Sequence, residues 1–212
     1  MMGIKLRPPA FPTFPTDYIP QYGTNIEALQ ELYRGVERML IITGAGLSTD
    51  SGIPDYRSPG RPPSNPVLYH NFLSSLDVRR RYWGRGLMGY SKFSTTRPNE
   101  GHKLVSAMEK AGKTRGIITQ NVDGYHQAVG TKRVLELHGN LHHVRCLDCE
   151  FLAPRAPLQD KMIKENQDFY HQYSTEYNEK KMKADGDMEL NFDFSSFVLP
   201  RCEKCDSINV KP

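Results

Sequence analysis

Between residues 25 and 38 the apolar positions Ile26, Leu29, Leu32, Tyr33 and Val36 recur at helical spacing, which predicts an amphipathic helix. Directly after it, Met39–Thr43 is a short apolar run stopped by Gly44. Such a run reads as a buried strand of the parallel type. A glycine- and proline-rich stretch follows to about Pro66, then arginine-rich helical material over residues 76–85. The spacing predicts another helix over residues 99–111, closed by Gly112. Residues 116–119 and 134–137 read as second and third strands. Helix, strand, helix, strand, strand in this order implies an open α/β fold with a parallel sheet.

The texture changes on either side of this block. Residues 1–24 hold five prolines and predict an extended arm rather than an element. The α/β part is expected over residues 25–141 and a separate module over 142–212. In that module residues 143–150 read as a hairpin, and residues 158–187, rich in Lys, Glu, Gln and Tyr, read as a solvated helical insertion.

Composition narrows the class. The chain has 212 residues, a net charge of +4, 38% hydrophobic residues and a mean hydropathy of -0.60. That balance is soluble, and too weakly basic to imply nucleic acid. No apolar run approaches the roughly 20 residues of a membrane span, and the start lacks the apolar core of a secretory signal. Lys5 and Arg7 without an acid in the first sixteen residues are compatible with an organellar presequence, but the stretch is proline-rich and not clearly amphipathic.

The four cysteines fall in two Cys-x-x-Cys pairs, Cys146/Cys149 and Cys202/Cys205. Each pair places two sulfurs on one tight turn, the bite that tetrahedral zinc needs. Two such turns make a closed four-thiolate site, which holds structure and leaves no position for a reacting water. Two disulfides, or four separate core thiols, are the alternatives that spacing leaves open. Reduced, metal-binding thiols imply an intracellular compartment.

Chemistry is therefore expected elsewhere. Thr43-Gly44-Ala45-Gly46-Leu47-Ser48 follows the first strand, and its glycines would let backbone N–H groups approach a phosphate. Alone it is a weak signal, since Thr49 stands where a dinucleotide fingerprint has its third glycine. Gly52-Ile53-Pro54-Asp55-Tyr56-Arg57 continues it. Thr119-Gln120-Asn121-Val122-Asp123 closes the second strand and His138-Gly139 the third. All three places are carboxyl ends of parallel strands, where open α/β sheets bind ligands.

These four motifs and the paired Cys-x-x-Cys, five in this order, resemble the sirtuins, NAD-dependent protein deacylases, from about Asn25 to Pro212. Tyr56, Arg81-Tyr82-Trp83, Cys146-Leu147-Asp148-Cys149 and Asp185-Gly186-Asp187 look most like class II, the mitochondrial sirtuin-four type. The resemblance implies a Rossmann-like open sheet over residues 25–141 that binds NAD, beside a small zinc-binding module. Gly44, Ala45, Gly46 and Ser48 would line the pyrophosphate and its ribose. Asp55, Tyr56 and Arg57 would belong to a loop that closes over the cofactor. Gln120 would bind a ribose hydroxyl and Asn121 would order the ribose and a water. Ile53 and Asp123 would hold the nicotinamide carboxamide, and Val122, between Asn121 and Asp123, would also bind the cofactor. His138 would act as general base, a task that its ordinary pKa near 6.5 suits. The implied reaction moves the acyl group of an acyl-lysine protein to ADP-ribose, releasing nicotinamide, in the mitochondrial matrix, with ADP-ribosyl transfer as the companion activity that the resemblance implies. Tyr82 and Arg85 form Tyr-x-x-Arg, a motif that reads an acidic acyl chain in one branch of the family, and an arginine fork suits a carboxylate.

Sirtuins continue past the Lys-Pro that closes this sequence. The expectation is thus the first half of the nucleotide-binding sheet, with an unpaired edge on the first strand. Two other classes stand beside the enzyme: a catalytically incompetent zinc-containing interaction module, and a nucleic-acid-binding zinc protein, which the small net charge and the lack of basic aromatics around the cysteines disfavour.

Overall fold

A computed structural model describes residues 26–59, 67–174, 183–188 and 192–212. The expected proline arm and residues 175–182 of the expected insertion lie outside them. The chain divides into two compact units, with the division after Val36. In the first unit α1 (Ile26–Arg34) ends four residues short of the predicted limit, just before Gly35. Its apolar Ile26 and Leu29 are exposed.

In the second unit β1 (Met39–Thr43), β2 (Thr114–Thr119) and β3 (Val134–Glu136) form a parallel sheet in the order β1-β2-β3. The register pairs Thr43 with Thr119 and Thr119 with Glu136, so the strands finish on one level. The loops after them leave the same sheet edge, and that level is where the site forms. One face of the sheet is covered: Ile117, Thr114 and Thr119 are buried, and α4 (Glu100–Lys110) packs on β2 and on α5 (Tyr125–Ala128). The other face differs from expectation. Leu40 is 60% exposed and Ile42 is 67% exposed, so β1 is not buried on both sides. Leu40 and Ile42 face a side that no described residue covers, and β1 is one of the two edge strands of this sheet among the described residues.

Helix α4 forms where its caps demand. Asn99 Oδ1 accepts from the N–H groups of Gly101 and His102, and His102 Nδ1 reaches back to Asn99 N at 3.3 Å, a reciprocal capping box. Gly112, at φ +71°, ends the helix in the left-handed conformation that glycine tolerates.

The larger core lies around α3 (Leu76–Phe93), which runs eight residues beyond its predicted end and follows α2 (Tyr69–Ser74). Trp83, Leu87 and Met88 of α3 pack with Val144 and Cys146 of β4 (His143–Cys146) and Val210 of β6 (Val210–Lys211). Strand β4 is central in a small antiparallel sheet, between β5 (Leu152–Pro154) and β6. The buried indole N–H of Trp83 donates to Val210 O at 3.1 Å, which ties helix to sheet. Helices α6 (Arg155–Glu165) and α7 (Gln167–Ser174) occupy the stretch expected to be a solvated insertion. They are not merely solvated: Leu158, Met162 and Phe169 enter the same core, as does Met188. A second cluster of Ile53, Tyr90, Phe93, Tyr125 and Leu141 sits beneath the loops at the sheet edge.

Candidate active site

The first loop leaves β1 through Gly44 in extended conformation and makes one 3-10 helix, Ala45–Ser51. Gly52 closes it at φ +84°, where a side chain would be strained. A Cβ on Gly46 would meet nothing within 4 Å, and one on Gly44 would meet only Gln120 Nε2 at 3.7 Å. The glycine turn therefore has open room beside it. Ser48, on the inner side, is the hub of the site. Its hydroxyl donates to Asp123 Oδ2 at 2.7 Å and accepts from Asn121 Nδ2 at 3.1 Å. Asn121 Nδ2 also donates to Gly44 O at 3.0 Å, and Asp123 Oδ1 accepts the N–H of Tyr125 at 2.9 Å. Ser48, Ile53, Asn121 and Asp123 are all buried, and Val122 packs against the cluster that contains Ile53.

His138 stands beside this cluster and is exposed. Its Nδ1 lies 3.0 Å from Gln120 O. A carbonyl oxygen only accepts, so the neutral ring carries its proton on Nδ1 and turns a bare Nε2 lone pair outward. That is the state a general base requires. Gln120 itself is exposed at the same rim. Asp55 accepts from the N–H and hydroxyl of Ser58, which folds its loop into a turn. Tyr56 and Arg57 are exposed on that loop. Although the Tyr56 residue is part-exposed, partial desolvation of its phenol, with the nearby carboxylates of Asp185 and Asp187, pushes it above its ordinary range.

Several histidines without an assigned role support the site. His102 Nε2 is 3.4 Å from Ser48 Oγ, His126 Nε2 is 2.9 Å from Thr43 Oγ1, and His142 Nε2 is 3.1 Å from Asp123 O. Burial lowers the pKa of all three, which keeps them neutral. For His102 a signal existed, since it stands three residues after a capping Asn99. His126 and His142 are placed by contacts that no local pattern announces.

The four cysteines converge. Cys146 Sγ is 3.6 Å from Cys205 Sγ, Cys149 Sγ is 3.6 Å from Cys202 Sγ, and all four sulfurs lie within 4.8 Å of one another. Sulfurs about 2.3 Å from one zinc stand roughly 3.8 Å apart, so the set fits a tetrahedral ion. None of the four is in a disulfide. The cluster joins the end of β4 to residues 202–205, with Cys146 and Cys202 in the core around α3, and four thiolates suit a structural ion.

Tyr82 and Arg85 do not form an open pair. Tyr82 meets Phe72 and Trp83 edge-on at 5.2 and 5.8 Å, and burial pushes its phenol up to about 12. Arg85 Nε donates to Asp187 Oδ1 at 2.9 Å and to Met188 O at 2.7 Å, and Nη2 donates to Asp187 Oδ2. A substrate carboxylate would have to displace Asp187 from that fork.

Known proteins place this geometry in a family. The model of the Sir2 family matches residues 44–212. "NAD-dependent protein deacylase SIR4" of Monosiga brevicollis is 42% identical over 177 residues, 83% of this chain and 57% of the relative. "NAD-dependent protein deacetylase 2" of Bradyrhizobium diazoefficiens is 40% identical over 189 residues, 88% of this chain and 67% of its own length. The bovine "NAD-dependent protein lipoamidase sirtuin-4, mitochondrial" is 39% identical over 188 residues, 84% of this chain and 58% of the relative. Among solved structures, "Sir2-p53 peptide-NAD+" superimposes with a TM-score of 0.61 at 27% identity, covering 89% of this chain and 62% of that one. The chain thus spans 57–67% of the length of these three relatives. With the glycine loop, the Ser48–Asn121–Asp123 cluster, the His138 strand end and the four thiols all inside or at the start of the matched span, the chain belongs to the Sir2 family.

Proposed function

We propose that this chain is the part of an NAD-dependent protein-lysine deacylase that holds the reacting end of NAD and the catalytic base. The observation that carries the reading is the convergence, at one sheet edge, of a buried carboxamide and carboxylate with an exposed histidine whose outer nitrogen is free to take a proton. Room beside Gly44 and Gly46 supports a dinucleotide at the first loop, with Ala45 and Ser48 along it. The names of the relatives and the peptide and NAD in the superimposed structure support the same ligands for this chain.

Bound NAD supplies a sugar carbon made electrophilic by its cationic pyridinium leaving group. The residues do the rest. Asp123 and Ile53 would hold the carboxamide of the leaving nicotinamide, and Asn121 and Gln120 would orient the ribose face. His138 Nε2 would accept the proton of a ribose hydroxyl, with the ring fixed by the Nδ1–H···O bond to Gln120. The four cysteines would hold zinc away from the reacting atoms. A protein acyl-lysine is the substrate class, and the mitochondrial name of the bovine relative supports that compartment for this chain.

Mass spectrometry of an acyl-lysine peptide incubated with NAD and zinc-loaded protein tests the proposal. Appearance of the free lysine peptide together with O-acyl-ADP-ribose, and loss of both by about 10²–10⁴-fold in His138→Ala, is the expected result. Zinc-bound, folded protein that binds neither NAD nor peptide would instead support the non-catalytic interaction module.

A further inference from the structure

Asn121 and Asp123 carry the polar groups of the site, yet their backbone lies beyond the end of β2, where no ladder bond fixes it. Two carbonyls of this segment are nevertheless held from one neighbouring stretch. Val122 O accepts from Leu141 N at 2.8 Å, a backbone bond that any residue would supply. Asp123 O accepts from His142 Nε2 at 3.1 Å, which one side chain alone provides.

The tautomer follows. With its proton on Nε2, neutral His142 offers Nδ1 as an acceptor, and the Tyr90 hydroxyl donates to it at 3.2 Å. Tyr90 lies on α3 and is 5% exposed, with the Arg155 guanidinium 4.2 Å over its ring. Arg155 is itself fixed: it is 2% exposed, its Nη2 donates to Gly86 O at 2.9 Å, and its backbone N–H donates to the His142 backbone carbonyl at 2.8 Å. The contacts close a ring from His142 to Tyr90 to Arg155 and back to His142.

We propose that His142 is a positioning residue, whose imidazole, oriented by Tyr90 and Arg155, holds the Asp123 carbonyl and so sets the pose of the Asp123 carboxylate and Asn121 carboxamide. Its consequence for cofactor use rests on the deacylase reading; its effect on the segment does not. The ring also joins the site to α6, whose first residue is Arg155, and so to the core beside the cysteine cluster.

Three variants separate the parts. His142→Phe keeps a flat ring against Phe93 and Tyr90 and removes both hydrogen bonds. His142→Gln places an amide N–H near the Nε2 position and restores the bond to Asp123 O. Tyr90→Phe keeps the ring beneath Arg155 and removes only the donor to Nδ1. Amide hydrogen exchange over residues 119–126 is read in ligand-free, zinc-loaded protein of each, with kcat and KM for NAD beside it. His142→Phe is expected to exchange about tenfold faster there and to raise KM for NAD about tenfold, with the larger change in KM rather than kcat. His142→Gln should return both within about threefold of wild type, and Tyr90→Phe should lie between. A variant that only lost folded protein would lower kcat and leave KM unchanged. Unchanged exchange in His142→Phe, or no recovery in His142→Gln, overturns the proposal even if the wild type is an active deacylase. Faster exchange with recovery supports it even if no variant, wild type included, deacylates a peptide, in which case the enzymatic reading is the one that fails.

Discussion

Helix α3 carries three glycines, and they should respond to alanine in opposite ways. An alanine in a helix interior normally stabilises by about 1 kcal/mol relative to glycine. At Gly89 an added Cβ would lie 1.9 Å from Gly186 O and 2.8 Å from Gly186 C. Carbon and oxygen approach to about 3.3 Å, so the residue 186 backbone has to retreat by roughly 1.4 Å. That turn is anchored by the two residues directly after Gly186: Asp187 is held by Arg85, and Met188 is fully buried. Overpacking of this kind costs about 1–3 kcal/mol, and partial exposure of one Met side chain adds about 1–2 kcal/mol. The clash outweighs the propensity gain, and Gly89→Ala is expected to destabilise by about 1–4 kcal/mol. At Gly86 the added Cβ meets only Arg155 Nη2 at 3.3 Å, so Gly86→Ala should stay within about 1 kcal/mol of wild type. Gly84 is intermediate, because its Cβ would meet the Phe194 ring at 2.6 Å and a ring can swing aside. Urea unfolding of the three zinc-loaded variants, with m-values compared, reads the series. Gly89→Ala as stable as Gly86→Ala would refute the reasoning that segment 183–188 is docked on α3.

Other perturbations test other parts. Stripping zinc, or Cys146→Ser, should loosen the β5-β4-β6 sheet; Trp83, the chain's one tryptophan, bonds to Val210 of that sheet, so its fluorescence should shift to the red as Tm falls, and an unchanged spectrum in metal-free protein would count against a structural ion. Glu109 accepts the N–H groups of Lys132 at 2.7 Å and Arg133 at 2.9 Å, and these bonds hold its carboxyl below the usual range. Its contribution is therefore present above about pH 4.3 and fades as pH falls through the lower folded value, so Glu109→Gln should cost about 1–3 kcal/mol at pH 7 and progressively less in acid, and a pH-independent difference would contradict this. Because Asp187 fills the Arg85 fork, Arg85→Met should lower Tm while leaving the ratio of glutaryl- to acetyl-peptide turnover unchanged; a selective loss of glutaryl turnover would show that the fork opens for substrate.

What could be read from the chain and what could not separate along physical lines. Strands β1 and β2 were legible because each is a short apolar run with a glycine or polar stop. Helix α4 was legible because Asn99 and Gly112 mark its ends chemically. The site motifs lie at the strand ends and so came with the strands. The stretch from Leu158 onward misled because its apolar positions are few: Leu158, Met162 and Phe169 are diluted by charged neighbours, yet they are what the core takes. Leu40 and Ile42 misled in the other direction, since an apolar run reports what a face could bury and not what covers it. Arg85 and Asp187 stand 102 positions apart, and their pairing follows only from the docking of Gly186 on Gly89. His142 was hidden for a similar reason, as its partners come from α3 and from the loop after β2.

Nicotinamide release tests the central claim most directly. Purified, zinc-loaded protein of residues 1–212 is given NAD and a mixed acyl-lysine peptide pool, with His138→Ala beside it. The account predicts release that requires the peptide and falls by at least about 10²-fold in His138→Ala. Equal release by the variant, or none from folded, zinc-bound wild type, would contradict it.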